Sequence, residues 1–276
     1  MQILATWLEG SRPKTWIASI SPVVIGTLLA PRSEMWIFVV TLLCALFIQI
    51  GTNLANDYYD CIQGKDTKAR VGPRRIGASG MIAKNSLFQM MVATFCIGFC
   101  FCSLLISRGG WSMGALYLIA VGLGVFYTKK PIAYGYKGAS DLIVLFGFGS
   151  IATFFTTYLQ TLTFSYTPLL VGLAPGFFSV ALLALNNVRD FEEDTLTQKN
   201  TLVVRFGQKF GKMEVTAGLL LPFMIAPNPL NIFLIPLVYS ILQKLWDGSE
   251  MRELLNKIGI TFIFFTLFYG IKACFL

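Results

Sequence analysis

The chain has 276 residues, of which 55 % are hydrophobic and only 13 % charged, and its mean hydropathy is +0.67. That charged share is about half of what a soluble domain carries, and the net charge is +8. There is no histidine, which excludes Ser-His-Asp and Cys-His nucleophile pairs, an imidazole base, His-ligated zinc and a proximal haem histidine.

A membrane-crossing helix needs about 20 mostly apolar residues. In chain order the sequence predicts nine such spans, at residues 16–30, 35–53, 87–107, 111–128, 140–162, 168–187, 213–226, 229–243 and 258–275. The seventh and eighth are short and separated by Pro227-Asn228-Pro229, which stops one helix and starts the next, so this pair is expected to form a tight helical hairpin. The first apolar run follows Arg12-Pro13-Lys14 and leads into further spans, and no cleavable signal is expected. With nine alternating helices, one face receives 19 of the 22 Lys and Arg residues and the other only Arg32, Arg108 and Lys272. By the positive-inside rule the rich face, with the N-terminus, is cytoplasmic. The fold class expected is therefore an all-α integral membrane protein, a single transmembrane domain over residues 1–276 in the cell (inner) membrane.

Topology and anionic lipid account for most of the basic excess, and its spread over five membrane-proximal segments argues against nucleic acid as a partner. Cys44, Cys96, Cys100, Cys102 and Cys274 lie within predicted spans and Cys61 at a helix end. Without histidine they read as apolar packing residues rather than as zinc ligands.

The acidic residues carry more information. Seven of the fourteen fall in two clusters. One is Asn53-Leu54-Ala55-Asn56-Asp57-Tyr58-Tyr59-Asp60 with Asp66 just beyond. The other is Asn186-Asn187-Val188-Arg189-Asp190-Phe191-Glu192-Glu193-Asp194. Both fall at the cytoplasmic ends of predicted helices, the second and the sixth. Asn53, Asp57 and Asp60 share one helical face, and Asn186, Asp190 and Asp194 repeat every four residues on another. Carboxylates at that spacing repel unless a cation or protons compensate them. An all-oxygen set without sulfur or imidazole suits Mg²⁺ before Ca²⁺ or Mn²⁺. Arg70, Arg74, Arg75, Lys129, Lys130, Arg189 and Lys199 are placed to grip phosphate oxygens. Together these residues describe a diphosphate site beside an apolar bundle able to hold a long lipid chain. A secondary transporter would instead gather its charges near the membrane midplane. A CDP-alcohol phosphotransferase would hold its acids in one compact Asp-Gly and Ala-Arg motif, which is not found here.

Asn56-Asp57-x-x-Asp60 and Asp190-x-x-x-Asp194 resemble the two aspartate-rich motifs of the UbiA superfamily of intramembrane aromatic prenyltransferases. Arg12-Pro13-Lys14-Thr15, Arg70-Val71-Gly72-Pro73-Arg74-Arg75, Tyr127-Thr128-Lys129-Lys130-Pro131, Thr157-Tyr158-Leu159-Gln160-Thr161 and Thr201-Leu202-Val203-Val204-Arg205-Phe206-Gly207 are similar to its 1,4-dihydroxy-2-naphthoate branch. Where the general motif has a third Asp this chain has Gly64, with Asp66 two residues later as in that branch. The resemblance implies a nine-helix bundle around a central cavity and Mg²⁺-dependent transfer from a polyprenyl diphosphate to an aromatic carboxylic acid, with loss of CO₂. The metal ligands expected first are Asn56, Asp60, Asp190 and Asp194, followed by Asp57, Asp66 and Asn187. Lys129, Arg70, Arg74 and Lys199 are expected to bind the diphosphate and Tyr127 to stabilise an allylic cation. Asp141 reads either as an acceptor-side base or orienter, or as an acid favoured at a helix N-terminus. The acceptor stays open between the 2-naphthoate, a 6-naphthoate isomer and 4-hydroxybenzoate. In Phe146-Gly147-Phe148-Gly149 the glycines are expected to permit close helix packing.

Overall fold

The computed structural model describes residues 2–64, 76–77, 82–248 and 251–274, and every regular element among them is helical. Helix α1 (Gln2–Ser11) turns through Pro13–Thr15 into α2 (Ile17–Leu28), followed by α3 (Met35–Ile62), α4 (Lys84–Gly109) and α5 (Trp111–Phe126). Next come α6 (Ser140–Leu145), a π-helical stretch Phe146–Ile151 and α7 (Ala152–Thr161). The short α8 (Thr167–Val171) leads into α9 (Leu173–Arg189), and α10 (Phe191–Leu196) and α11 (Leu202–Phe206) cap its end. The chain closes with α12 (Gln208–Ile225), a 3₁₀ turn Pro229–Leu234, α13 (Ile235–Asp247) and α14 (Met251–Cys274).

Each of the nine apolar segments read from the sequence overlaps a helix. Among the described residues six stretches are long and apolar enough to cross a membrane unaided: Met35–Ile62, Lys84–Gly109, Ser140–Thr161, Thr167–Arg189, Pro229–Asp247 and Met251–Ala273. Ile17–Leu28 and Trp111–Phe126 are apolar but shorter, and α12 carries Lys209, Lys212 and Glu214 in its first two turns. The expected hairpin at Pro227-Asn228-Pro229 is present. Asn228 Oδ1 caps it by accepting from the Leu230 N–H at 3.1 Å, while Asn228 Nδ2 donates to the Phe268 carbonyl at 2.7 Å.

Besides an apolar centre on α3 and α4 about Leu54 and Leu87, the bundle packs around two others. One joins α2, α9, α12, α13 and α14 about Phe178, Phe262 and Phe265, with the rings of Phe178 and Phe262 stacked at 4.8 Å. The other joins α3, α4, α5 and α7 about Ile37, Leu105, Tyr117 and Leu159. Lipid tails are as apolar as these side chains, so close backbone approach and interhelical hydrogen bonds must supply much of the cohesion. Gly149 illustrates the approach: a Cβ there would fall 2.7 Å from Gly176 Cα, whereas Gly147 has open space. Ser19 Oγ donates to Gln49 Oε1 at 2.7 Å, Thr157 Oγ1 to the Gly26 carbonyl at 2.7 Å and Thr266 Oγ1 to Ser21 Oγ at 2.7 Å. These bonds tie α2 to α3, α7 and α14 in turn.

Two elements depart from the sequence reading, and both concern the acidic clusters. Helix α3 runs to Ile62, more than two turns past the apolar segment, so the first cluster rides on a continuous helix. The second does not. Helix α9 ends at Arg189, Asp190 takes φ −92° and ψ 11°, and α10 begins at Phe191. The i to i+4 bonds persist across this joint, with the Asp190 N–H on the Asn186 carbonyl at 2.9 Å and the Asp194 N–H on the Asp190 carbonyl at 2.8 Å. The single helical face expected for Asn186, Asp190 and Asp194 is therefore a bend rather than a straight row, because Asp190 leaves helical geometry between α9 and α10.

Candidate functional site at the acidic helix ends

Both clusters lie at one end of the bundle, and Tyr136 connects them. The segment after α5 folds back so that the Gly135 N–H meets the Tyr127 carbonyl at 2.9 Å, leading into the short turn Tyr134–Tyr136. The Tyr136 hydroxyl donates to Asp60 of the first cluster. The Tyr136 carbonyl accepts from the Asn200 N–H at 2.8 Å, and its ring lies 5.5 Å from the Lys199 ammonium. Lys199 in turn pairs with Asp194 of the second cluster at 3.3 Å. One tyrosine thus touches the first cluster through oxygen and the second through its ring and a lysine.

The sequence-derived residues fall as follows. Asn56 Oδ1 accepts from Thr128 Oγ1 at 2.7 Å. Asp57, 1 % exposed, accepts from the Arg12 guanidinium and from the Ile76 N–H at 3.3 Å. Asp190 holds Arg189 through two parallel bonds of 2.6 and 2.7 Å. Asn187 is buried. Lys129 lies over the rings of Tyr59 and Phe126 at 5.6 and 5.8 Å, an arrangement in which ring quadrupoles attract the ammonium. Tyr127 packs edge-on against Tyr134 at 5.3 Å. Asp141 opens α6, and its Oδ2 accepts from Ser140 Oγ at 3.0 Å. Asp66, Arg70, Arg74 and Arg75 lie outside the described residues.

Electrostatics bind the set further. The Asp194 carboxyl is pushed up, chiefly by burial; the Lys199 ammonium opposes this and the Asp190 charge adds to it.

Two participants escape a reading of the sequence. Arg12 stands 45 residues before Asp57 and its ion pair exists only because α1 doubles back on α3, where Asn53 Nδ2 also reaches the Ser11 carbonyl at 3.0 Å. Tyr136 sits in a turn among other tyrosines, and the single available signal was its proximity to Tyr127-Thr128-Lys129.

The donors fit a hard divalent ion of the magnesium type. Magnesium takes one or two carboxylates and fills the rest of its shell with water or phosphate oxygens. Among the described residues no three Asp, Glu or Cys side chains converge on one point, so a cage made of protein alone is absent and open positions would remain. Asp57, Asp60, Asp190 and Asp194 each hold a protein donor here. Those donors are cationic or hydroxylic, the types that also bind phosphate.

Fold and site together define an integral membrane enzyme whose polar machinery sits at one end of an apolar helical bundle. Residues 19–246 match the UbiA prenyltransferase family, and the chain belongs to it. The chain is 31 % identical over 302 aligned residues to the 1,4-dihydroxy-2-naphthoate octaprenyltransferase of Haemophilus influenzae, covering 97 % of this chain and 95 % of that one. Its fold resembles that of a UbiA homolog from Archaeoglobus fulgidus solved with DMAPP and Mg²⁺, with a TM-score of 0.63 at 17 % identity over 97 % of this chain and 98 % of that one. The apo UbiA homolog from Aeropyrum pernix gives a TM-score of 0.70 at 13 % identity, covering 96 % and 99 %.

Proposed function

We propose that this protein transfers a polyprenyl group from polyprenyl diphosphate to 1,4-dihydroxy-2-naphthoate, with loss of the acceptor carboxylate as CO₂, giving the prenylated naphthalene diol, demethylmenaquinol. The observation that carries the reading is the Tyr136 junction, which brings two acidic clusters, one from α3 and one from α9–α10, to a single polar site. The H. influenzae relative's name supplies the acceptor and the A. fulgidus structure's ligands the diphosphate and the metal.

In this reading Asn56, Asp60, Asp190 and Asp194 hold Mg²⁺, with Asp57, Asp66 and Asn187 behind them. The bound ion offsets negative charge on the departing diphosphate. Lys129 and Lys199, with Arg70 and Arg74, donate to the phosphate oxygens. Lys199 already stands against Asp194, so a small displacement of its ammonium suffices to meet an anion beside that carboxylate. Departure of diphosphate leaves an allylic cation, and Tyr127, Tyr59 and Phe126 present ring faces that attract positive charge while excluding water. Asp141 orients the acceptor, whose electron-rich ring carbon attacks; expulsion of CO₂ then restores aromaticity. No histidine is needed, since the acceptor's own hydroxyl groups supply the nucleophilicity.

A groove of about 680 Å³ between α2 and α14, lined by Trp16, Ile20, Val24, Ile263 and Leu267, supports the lipid half of the reading. Pro13 and Lys14 also line it, one and two residues from the Arg12 that grips Asp57. In this reading the isoprenoid tail lies along the groove. We further propose nine crossings, with the N-terminus and the acidic site on the cytoplasmic side of the cell membrane, from the 19-to-3 division of basic residues.

The test is a panel of aromatic acids offered with one polyprenyl diphosphate and Mg²⁺, read by product mass. The reading predicts a prenylated, decarboxylated naphthalene diol. Incorporation into 4-hydroxybenzoate or a 6-naphthoate alone would overturn the acceptor assignment.

A further inference from the structure

Of the four side chains proposed above as the first holders of Mg²⁺, Asp60, Asp190 and Asp194 are carboxylates and Asn56 is an amide. A carboxylate attracts an ion by charge and presents oxygen from either end. An amide is neutral, and only one of its two ends is oxygen. How Asn56 is held therefore matters more than how its acidic neighbours are held.

The hold comes from the end of α5. Helix α5 packs beside α3, and at Gly124 the approach is close: a Cβ there would collide with Thr52 Oγ1 and lie 3.2 Å from Thr52 Cβ. Four residues further along each chain, Gly124 gives way to Thr128 and Thr52 to Asn56. At this next level the Thr128 hydroxyl donates to Asn56 Oδ1 at 2.7 Å. A threonine side chain is short, and it reaches across because the glycine below lets α5 come in. Thr128 is 1 % exposed, so water does not compete for its hydroxyl. Its main chain is pinned as well. The Thr128 carbonyl accepts from Gln63 Nε2 at 3.1 Å, and the same Nε2 donates to the Tyr59 carbonyl at 2.8 Å. Gln63 is the residue that ends α3. The last turns of α3 thus hold Thr128 by its carbonyl while its hydroxyl holds Asn56.

We propose that Thr128 is a positioning residue for the divalent ion, its hydroxyl fixing the Asn56 amide oxygen in place before the ion arrives. A carbonyl oxygen has two lone pairs; Thr128 takes one and leaves the other for the metal. The inference rests on the ligand set proposed above and adds to it a residue that acts on the ion only through Asn56. Hydrogen-bond partners of this kind orient metal ligands, and losing one costs roughly ten- to a hundredfold in metal affinity. Asn56 makes contacts beyond this one, so the lower end of that range applies.

The test is thermal unfolding of the full chain in detergent across a Mg²⁺ titration, at a fixed excess of inorganic diphosphate and without prenyl donor or acceptor. An ion that binds the native protein raises Tm with its concentration, so the midpoint of the rise reads affinity without turnover. The proteins compared are the wild type, Thr128→Val, Thr128→Ser, Asn56→Ala and the double variant Asn56→Ala with Thr128→Val. Thr128→Val should move the midpoint about tenfold to higher Mg²⁺, and Thr128→Ser, which keeps the hydroxyl, should bring it back. Asn56→Ala should move it at least as far, and adding Thr128→Val should move it no further. A Thr128→Val protein with a lower Tm at every Mg²⁺ concentration but an unmoved midpoint would show a structural tie only and overturn the proposal. A full further shift in the double variant would overturn it too, since Thr128 would then act by another route. If Thr128→Val fails to accumulate, Thr128→Ala removes the same hydroxyl and is read by the same criteria. An unmoved midpoint in Asn56→Ala, or a wild type whose Tm ignores Mg²⁺, would instead refute the ligand set beneath the proposal.

Discussion

Replacing Tyr136 by Phe isolates the junction between the two acidic clusters. The change keeps the ring that faces the Lys199 ammonium at 5.5 Å and the carbonyl that accepts from Asn200 at 2.8 Å. It removes only the hydroxyl that donates to Asp60. A hydrogen bond to a charged group contributes about 1.5–3 kcal/mol, or roughly ten- to a hundredfold in an equilibrium or rate constant. Asp60 makes contacts beyond this one, so the low end applies and kcat/KM should fall about tenfold, with a weaker apparent affinity for Mg²⁺. Tyr136→Leu should fall further, because the cation–ring contact contributes about 0.5–2 kcal/mol more. The assay is release of diphosphate from a polyprenyl diphosphate across a Mg²⁺ titration, with thermal unfolding in detergent as the control for folding. Full turnover and an unchanged Mg²⁺ midpoint in Tyr136→Phe would refute the idea that Tyr136 sets the position of Asp60.

Three further perturbations follow from the geometry. Lys199→Gln removes the charge that holds the Asp194 carboxyl down against burial and Asp190; its pKa then rises further, and since the ionised form is the one that works, the acid limb of the pH–rate profile should move to higher pH. A limb that stays in place would contradict the pairing. Gly149→Ala puts a methyl 2.7 Å from Gly176 Cα and should destabilise the protein by about 1–3 kcal/mol, seen as a lower Tm, whereas Gly147→Ala, with open space around it, should leave Tm nearly unchanged. Arg12→Gln removes one charged partner of Asp57, which is 1 % exposed; a loss of about 1–3 kcal/mol is expected, read as a lower denaturation midpoint, and an unaltered midpoint would count against the ion pair.

What could be read in the sequence was whatever local pattern carries. Apolar runs marked the helices, and scarce acids at regular spacing marked Asp57, Asp60, Asp190 and Asp194. The close packing expected of the Phe146–Gly149 stretch is seen at Gly149, because a glycine pressed against a helix needs no long-range knowledge to anticipate. Features that depend on chain reversal were not legible. Arg12 reaches Asp57 only through the turn at Pro13–Thr15, and Tyr136 reaches Asp60 only because the Gly135 N–H folds back on the Tyr127 carbonyl. The i, i+4 spacing of Asn186, Asp190 and Asp194 was visible, yet periodicity is silent about a bend at Asp190.

The central claim is that the two acidic clusters act together on one diphosphate through a divalent ion. Its most direct measurement is the rate of diphosphate release from polyprenyl diphosphate at saturating 1,4-dihydroxy-2-naphthoate, with and without Mg²⁺, for the wild type, Asp60→Ala and Asp194→Ala. The account predicts Mg²⁺-dependent release in the wild type, abolished by chelation and reduced by several orders of magnitude in either variant alone, since each removes one side of a shared site. Full Mg²⁺-dependent turnover in both variants, or release indifferent to Mg²⁺, would contradict it.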